Sequence, residues 1–60
     1  MEVTLIKWRY KWENYKKLVG IAVSESVAHK YAKELAAKYP HCYGDQYGNW
    51  YFEDFDLIEE

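Results

Sequence analysis

The sequence predicts an α+β fold: a single small ββαβ domain whose three-stranded antiparallel sheet, in the order 2-1-3, carries one helix packed on one face. Three observations lead there. Two β-prone runs, 3–10 and 15–23, open the chain on either side of a short polar break. A serine then begins a segment whose apolar residues recur at three-and-four spacing, and a proline ends it. A third β-prone run, 50–58, closes the chain. Sixty residues hold one domain, spanning 1–60, because so short a chain buries only about 60% of its unfolded surface. Three Trp, seven Tyr and two Phe make up 20% of the residues, and large rings are one way for a tiny domain to reach a sufficient core.

In the first run, Val3 to Tyr10, strict alternation sets Ile6, Trp8, Tyr10 and Trp12 against Lys7, Arg9 and Lys11. Lys11-Trp12-Glu13-Asn14 breaks the run, with Asn14 as the expected turn residue. Tyr15 to Val23 reads as the second strand of a hairpin, with Val19, Ile21 and Val23 on one face and Leu18, Gly20 and Ala22 on the other. Gly20 inside it signals a bulge or a close backbone approach. Ser24 is a good helix N-cap, since its hydroxyl accepts from a first-turn amide, and Glu25 suits the positive helix end. Val27, Ala28, Tyr31, Ala32, Leu35, Ala36 and Tyr39 then form one apolar stripe, and Pro40 stops a helix expected over 24–39. Residues 41–49, with two Tyr-Gly steps, read as a loop. In the final strand either Tyr51, Phe55 and Leu57 face the core, or a bulge near Glu53 lets Phe52 join them.

The composition narrows the function. One cysteine excludes an internal disulfide framework and a multi-cysteine zinc site. No apolar run approaches membrane-spanning length, and Met1-Glu2-Val3-Thr4 is not a signal-peptide start, so the expectation is a soluble protein of the bacterial cytoplasm without a membrane partner. The net charge is −2, unevenly placed: residues 1–40 carry all eight Lys and Arg with four acids, and residues 41–60 carry six acids and no base. Either a basic footprint for nucleic acid results, or the fold brings the two ends together. With the last strand beside the first, Lys7, Arg9 and Lys11 would lie near Glu53, Asp54 and Asp56, which favours cancellation.

The stretch Lys17-Leu18-Val19-Gly20-Ile21-Ala22-Val23-Ser24-Glu25-Ser26-Val27-Ala28, followed by Leu35 and Pro40 and closed by Trp50-Tyr51-Phe52-Glu53-Asp54-Phe55-Asp56-Leu57, resembles a class of small phage and bacterial ββαβ domains of unknown function. Ala22 stands where that class usually has a large aromatic residue, and the loop at 41–49 departs from its usual sequence. The resemblance implies an accessory protein of a phage or mobile element, and such proteins often bind and inhibit or redirect a host protein, for example a defence nuclease or polymerase. A second likeness, from Trp8 to Ala36, points to the arm-site DNA-binding domains of phage-type integrases, which place three strands before the helix where this chain has two.

Chemistry-bearing residues are few. His29, His41 and Cys42 are the only candidate soft metal ligands, and no ligand spacing suits a tetrahedral site, so no metal or cofactor is expected. Ser24 is committed to capping, no Gly-x-Ser-x-Gly elbow occurs, and neighbouring His41 and Cys42 tend to point apart; the expectation is a protein without enzymatic activity and no catalytic residue is assigned. Glu53, Asp54 and Asp56 lack the cavity that would desolvate a carboxylate pair. A protein-binding surface is expected from Tyr43, Tyr47, Trp50, Phe52 and Asp45, rigid rings among adaptable polar groups, unless those rings fold back as lids on the core. The open second face of the sheet, with Leu5, Leu18, Trp50 or Phe52, would supplement it or support a homodimer. The alternative is nucleic-acid binding through Lys7, Arg9, Lys11, Lys16 and Lys17, against which stands the alternation that sends rings and cations to opposite faces.

Overall fold

The computed structural model describes residues 1–58. Along the chain lie strand β1 (Glu2–Tyr10), strand β2 (Lys17–Ala22), helix α1 (Glu25–Lys38), the one-turn helix α2 (Pro40–Tyr43) and strand β3 (Gly48–Asp56). The three strands form one antiparallel sheet in the order β2-β1-β3, with α1 across one face, as the pattern of the sequence predicts.

The central strand sets the register. β1 pairs with β3 without interruption from Glu2 opposite Asp56 to Tyr10 opposite Gly48. Against β2 it pairs Ile6 with Gly20 and then Lys7 with Leu18, so Val19 is the extra residue of a bulge. That bulge breaks the expected sharing of one face by Val19, Ile21 and Val23. Val19 and Ala22 pack on the core with Ile6, whereas Ile21 is exposed. Gly20 is both bulge neighbour and close approach: a Cβ there would lie 3.3 Å from Cε1 of Tyr31 on the helix.

Directly opposed residues share a face. The helix side therefore holds Thr4, Ile6, Trp8 and Tyr10 of β1 with Asp54, Phe52, Trp50 and Gly48 of β3. Val3, Leu5, Lys7 and Arg9 face the other way, with Phe55, Glu53, Tyr51 and Asn49. This corrects both alternatives for the last strand: Tyr51 and Phe55 lie on the open face, and Phe52 reaches the core with no bulge in the ladder. The strand also starts earlier than expected, at Gly48, and ends at Asp56. The second strand starts at Lys17, because the chain from Lys11 to Lys16 is used by the turn.

Helix α1 begins at its expected cap, where the Ser24 hydroxyl accepts from the Val27 amide at 3.3 Å. It ends with the Tyr39 amide donating to the Leu35 carbonyl at 2.8 Å, just before Pro40. Proline then suits the first position of a new helix, so α2 forms inside the stretch expected to be loop. Only Ala28 and Ala32 of the stripe are buried. Their small side chains let the helix approach the sheet closely, which leaves Val27, Tyr31 and Tyr39 at the helix margins, all exposed. Ser24→Ala removes the cap acceptor and is expected to cost about 1 kcal/mol, seen as a lower urea midpoint with unchanged slope.

Ile6 and Trp8 are the large side chains buried completely. Among the described residues, no helix is long and apolar enough to cross a membrane.

Candidate functional site

The last residue of α2 and the start of β3 bring Tyr43 and Trp50 together on one buried ring. Trp8 meets Tyr43 edge-on at 5.4 Å and Trp50 at 4.8 Å, and Tyr43 stacks on Trp50 at 5.2 Å. These rings cover the core with one face and keep the other half-exposed. Burial pushes the Tyr43 phenol above the usual tyrosine range. Tyr47, also half-buried, serves the backbone: its carbonyl accepts from the Lys11 amide at 2.9 Å and its amide donates to the Gly44 carbonyl at 2.9 Å. Phe52 packs on the core and under His29, ring centroids 4.0 Å apart. Asp45 is the one member of the expected group that is exposed, and it lines a shallow groove with Trp50 and Phe52. Trp50 and Phe52 therefore belong to the helix side, and of the residues expected on the open face Leu5 and Leu18 are there.

That open face carries the apolar surface the fold leaves uncovered. Leu18 and Ile21 on β2, Val23 just after it and Phe55 on β3 are exposed, Ile21 at 59% and Val23 at 67%. The outer edge of β2 has no strand beside it, and no charged residue occurs from Leu18 to Val23. On the helix side of the same edge, Gly20, Ala22, Val27 and Tyr31 line a groove. The other free edge, β3, differs: Glu53, Asp54 and Asp56 punctuate it, a pattern that resists strand addition.

The basic residues of the hairpin lie at the middle of the sheet and at its hairpin end. Lys7 and Lys16 both reach the Glu53 carboxylate, at 3.2 and 3.7 Å, so the expected cancellation holds at the middle of the open face. It does not extend to Arg9 and Lys11. The antiparallel register carries Asp54 and Asp56 away from them, to the end shared with Glu2, where Asp56 meets the N-terminal ammonium at 3.2 Å and Thr4 donates to Asp54 at 3.4 Å. The Arg9 guanidinium instead donates to the Glu13 carbonyl at 3.2 Å.

The hairpin tip holds what the sequence reading missed. The Glu13 amide donates to the Tyr10 carbonyl at 3.1 Å, closing a turn centred on Lys11-Trp12 and not on Asn14. Trp12 is thereby turned out of the sheet, 68% exposed, and stacks on Tyr10 at 4.7 Å with 15° between the planes. The Lys17 ammonium lies 5.2 Å from the Tyr10 ring and 5.8 Å from the Tyr15 ring, and 3.5 Å from the Glu13 carboxylate. The Glu13 oxygen at that ion pair makes no hydrogen bond, so the contact is electrostatic. Desolvation lowers the Lys17 pKa, but the charges of Glu13 and Tyr15 outweigh it and hold the ammonium above its usual range. Glu13, by hydrogen bonding and by charge, also raises the Tyr15 phenol above the ordinary tyrosine value. In Glu13→Gln the phenolate loses its repelling neighbour, so the Tyr15 titration is expected to move down toward that of free tyrosine. Ultraviolet difference titration, with Tyr15→Phe to assign the step, measures this.

Among the described residues, no three His, Cys, Asp or Glu side chains gather as a metal site requires. His41 and Cys42 sit exposed within α2, and His29 lies 3.6 Å from Glu25 on the outer side of α1. Compared with known proteins, the chain matches no family model, no curated protein and no solved structure.

Proposed function

We propose that this chain is a non-enzymatic protein-binding module that docks on another protein through the uncovered side of its sheet, centred on β2. The carrying observation is the exposure of Leu18, Ile21 and Phe55 on the open face and of Val23 just beyond β2, beside a free strand edge that is uncharged from Leu18 to Ala22. A domain with so little interior gains nothing by leaving four large apolar side chains in water, and contiguous apolar surface of this kind marks contact sites. A free edge offers backbone hydrogen bonds to an incoming extended segment, and the side chains flanking it supply selectivity. The Tyr43, Tyr47 and Trp50 rings contribute less than the sheet face, since Trp8 already occupies one side of Tyr43 and Trp50. In a phage or mobile element, the protein so bound would be one of the host, blocked or redirected by the contact.

The test is affinity capture from bacterial lysate with the wild-type chain and with Ile21→Glu, both checked for folding by circular dichroism. Specific retention by the wild type that Ile21→Glu abolishes is the expected result. The same apolar face also serves a second copy of the chain, and sedimentation at tens of micromolar separates the two: a dimer dissolved by Ile21→Glu assigns the surface to self-association. A monomer that retains nothing removes the docking role.

A further inference from the structure

We infer that the hairpin tip is a binding site for single-stranded nucleic acid, with Trp12 as the stacking platform and Lys11 and Lys17 as phosphate contacts. This site is separate from the docking face and does not depend on it.

Folding does not account for Trp12. The ring is 68% exposed, its parallel stack on Tyr10 leaves its outer face free, and no core lies beneath it. A large flat ring held in one orientation and open to water is suited to receive another flat ring. Its surroundings are cationic: between positions 9 and 17 stand Arg9, Lys11, Lys16 and Lys17 against the single carboxylate of Glu13. Glu13 is itself only 15% exposed, turned toward Lys17, so the outer surface of the tip is positive. The register of β1 and β3 sorts the charge further, placing Glu2, Asp54 and Asp56 at the far end of a molecule 40 Å long.

Alternation along one strand sends rings and cations to opposite faces, which is the objection to a basic-aromatic surface here. The structure meets it in two ways. Trp12 lies in the turn, beyond the reach of strand alternation, and the cation beside Tyr10 comes from the neighbouring strand. Lys17 stands opposite Trp8, on the same face as Tyr10. Rings and charge thus meet on one surface at the tip. An exposed stacking ring flanked by cations fits a polymer that alternates flat bases with phosphates, with the bases unpaired and free to stack. A duplex, whose bases are already stacked inside, satisfies the cations and leaves the ring unused.

The measurement is fluorescence anisotropy of labelled twelve-nucleotide oligo-dT and oligo-U, with a duplex of the same length and heparin as comparisons. Saturable binding of a single strand, tighter than of duplex and weakening from 50 to 200 mM salt, is expected. Whichever single strand binds more tightly identifies DNA or RNA as the source. Trp12→Ala is expected to weaken binding about tenfold or more, from the loss of one stacked base, and Trp12→Phe to restore most of it. Lys11→Gln with Lys17→Gln should flatten the salt dependence. Ile21→Glu, on the docking face, should leave oligonucleotide binding unchanged, so the two proposals fail independently. The inference is overturned by absence of binding at 100 μM protein. It is overturned equally by affinity that Trp12→Ala leaves intact, or by heparin and duplex binding as well as single strands, since charge alone would then suffice.

Discussion

Trp8→Ala is expected to leave the chain largely unfolded at 25 °C. Trp8 is 1% exposed and forms the hub of the aromatic cluster, meeting Tyr10 at 5.6 Å, Tyr43 at 5.4 Å and Trp50 at 4.8 Å. Truncating a buried tryptophan costs about 3–5 kcal/mol. A domain of this length holds about 3–9 kcal/mol in all, from about 0.05–0.15 kcal/mol per residue. The loss is therefore of the size of the whole stability. It also frees Tyr43 and Trp50, whose shared support is the ring removed. Trp8→Phe separates the ring from its polar atom. The Trp8 indole N–H is buried without a hydrogen-bond partner, and such an orphan costs about 1–3 kcal/mol. Phenylalanine removes the orphan while keeping an aromatic surface, so it should lose less than half of what alanine loses. Urea unfolding followed by circular dichroism reads both variants. A cooperative transition in Trp8→Ala within about 1 kcal/mol of wild type would refute the hub.

The elements of this fold were legible where one local rule governs each of them. Alternation in 3–10, the Ser24 cap, three-and-four spacing and Pro40 specify the first strand and the helix. The order 2-1-3 followed from a short hairpin and a returning strand, and it is the order observed. Faces were harder. One extra residue at Val19 inverts the side-chain parity of half a strand, and Gly20 announced that bulge without fixing its position. On the last strand, Trp50-Tyr51-Phe52 has rings at consecutive positions, so apolarity could not say which side is core; the uninterrupted ladder with β1 says it.

The candidate sites show the same division. Composition marks Tyr43, Tyr47 and Trp50 as a recognition surface, and Trp8, far away in sequence, occupies one side of Tyr43 and Trp50 and leaves both half-exposed. Strict period two groups Trp12 with Trp8 and Tyr10, and the turn centred on Lys11-Trp12 ends that period at Tyr10. The available signal was a tryptophan at the end of an alternating run, directly before Glu13-Asn14. Lys17 came into play only through cross-strand pairing, which a single strand's pattern cannot express.

Gly48→Ala should destabilise the protein about as much as overpacking a core position, about 1–3 kcal/mol, although it adds a single methyl group. Gly48 is buried opposite Tyr10 at the start of β3. A Cβ there would lie 2.3 Å from the Arg9 carbonyl oxygen and 2.8 Å from Cζ2 of Trp8. Neither neighbour yields easily: one is backbone of the central strand and the other is the most enclosed ring in the protein. The glycine is required for space and not for torsion, because no glycine of the chain has a positive φ. Room for the methyl group must come from β3 moving off β1 or from Trp8 tilting, and either disturbs the Lys11 to Tyr47 backbone bond that ties the hairpin tip to the loop. Gly20→Ala is the matched comparison, also within a strand and facing the helix. Its Cβ would meet the Tyr31 ring at 3.3 Å, and that ring stands at the exposed margin of the helix where it can shift. The gain from restricting the unfolded chain, about 0.4–1 kcal/mol, then offsets the small contact, and Gly20→Ala should lie near wild type. Equal urea midpoints for the two variants would mean that β3 is not held against Arg9 and Trp8 in the manner described.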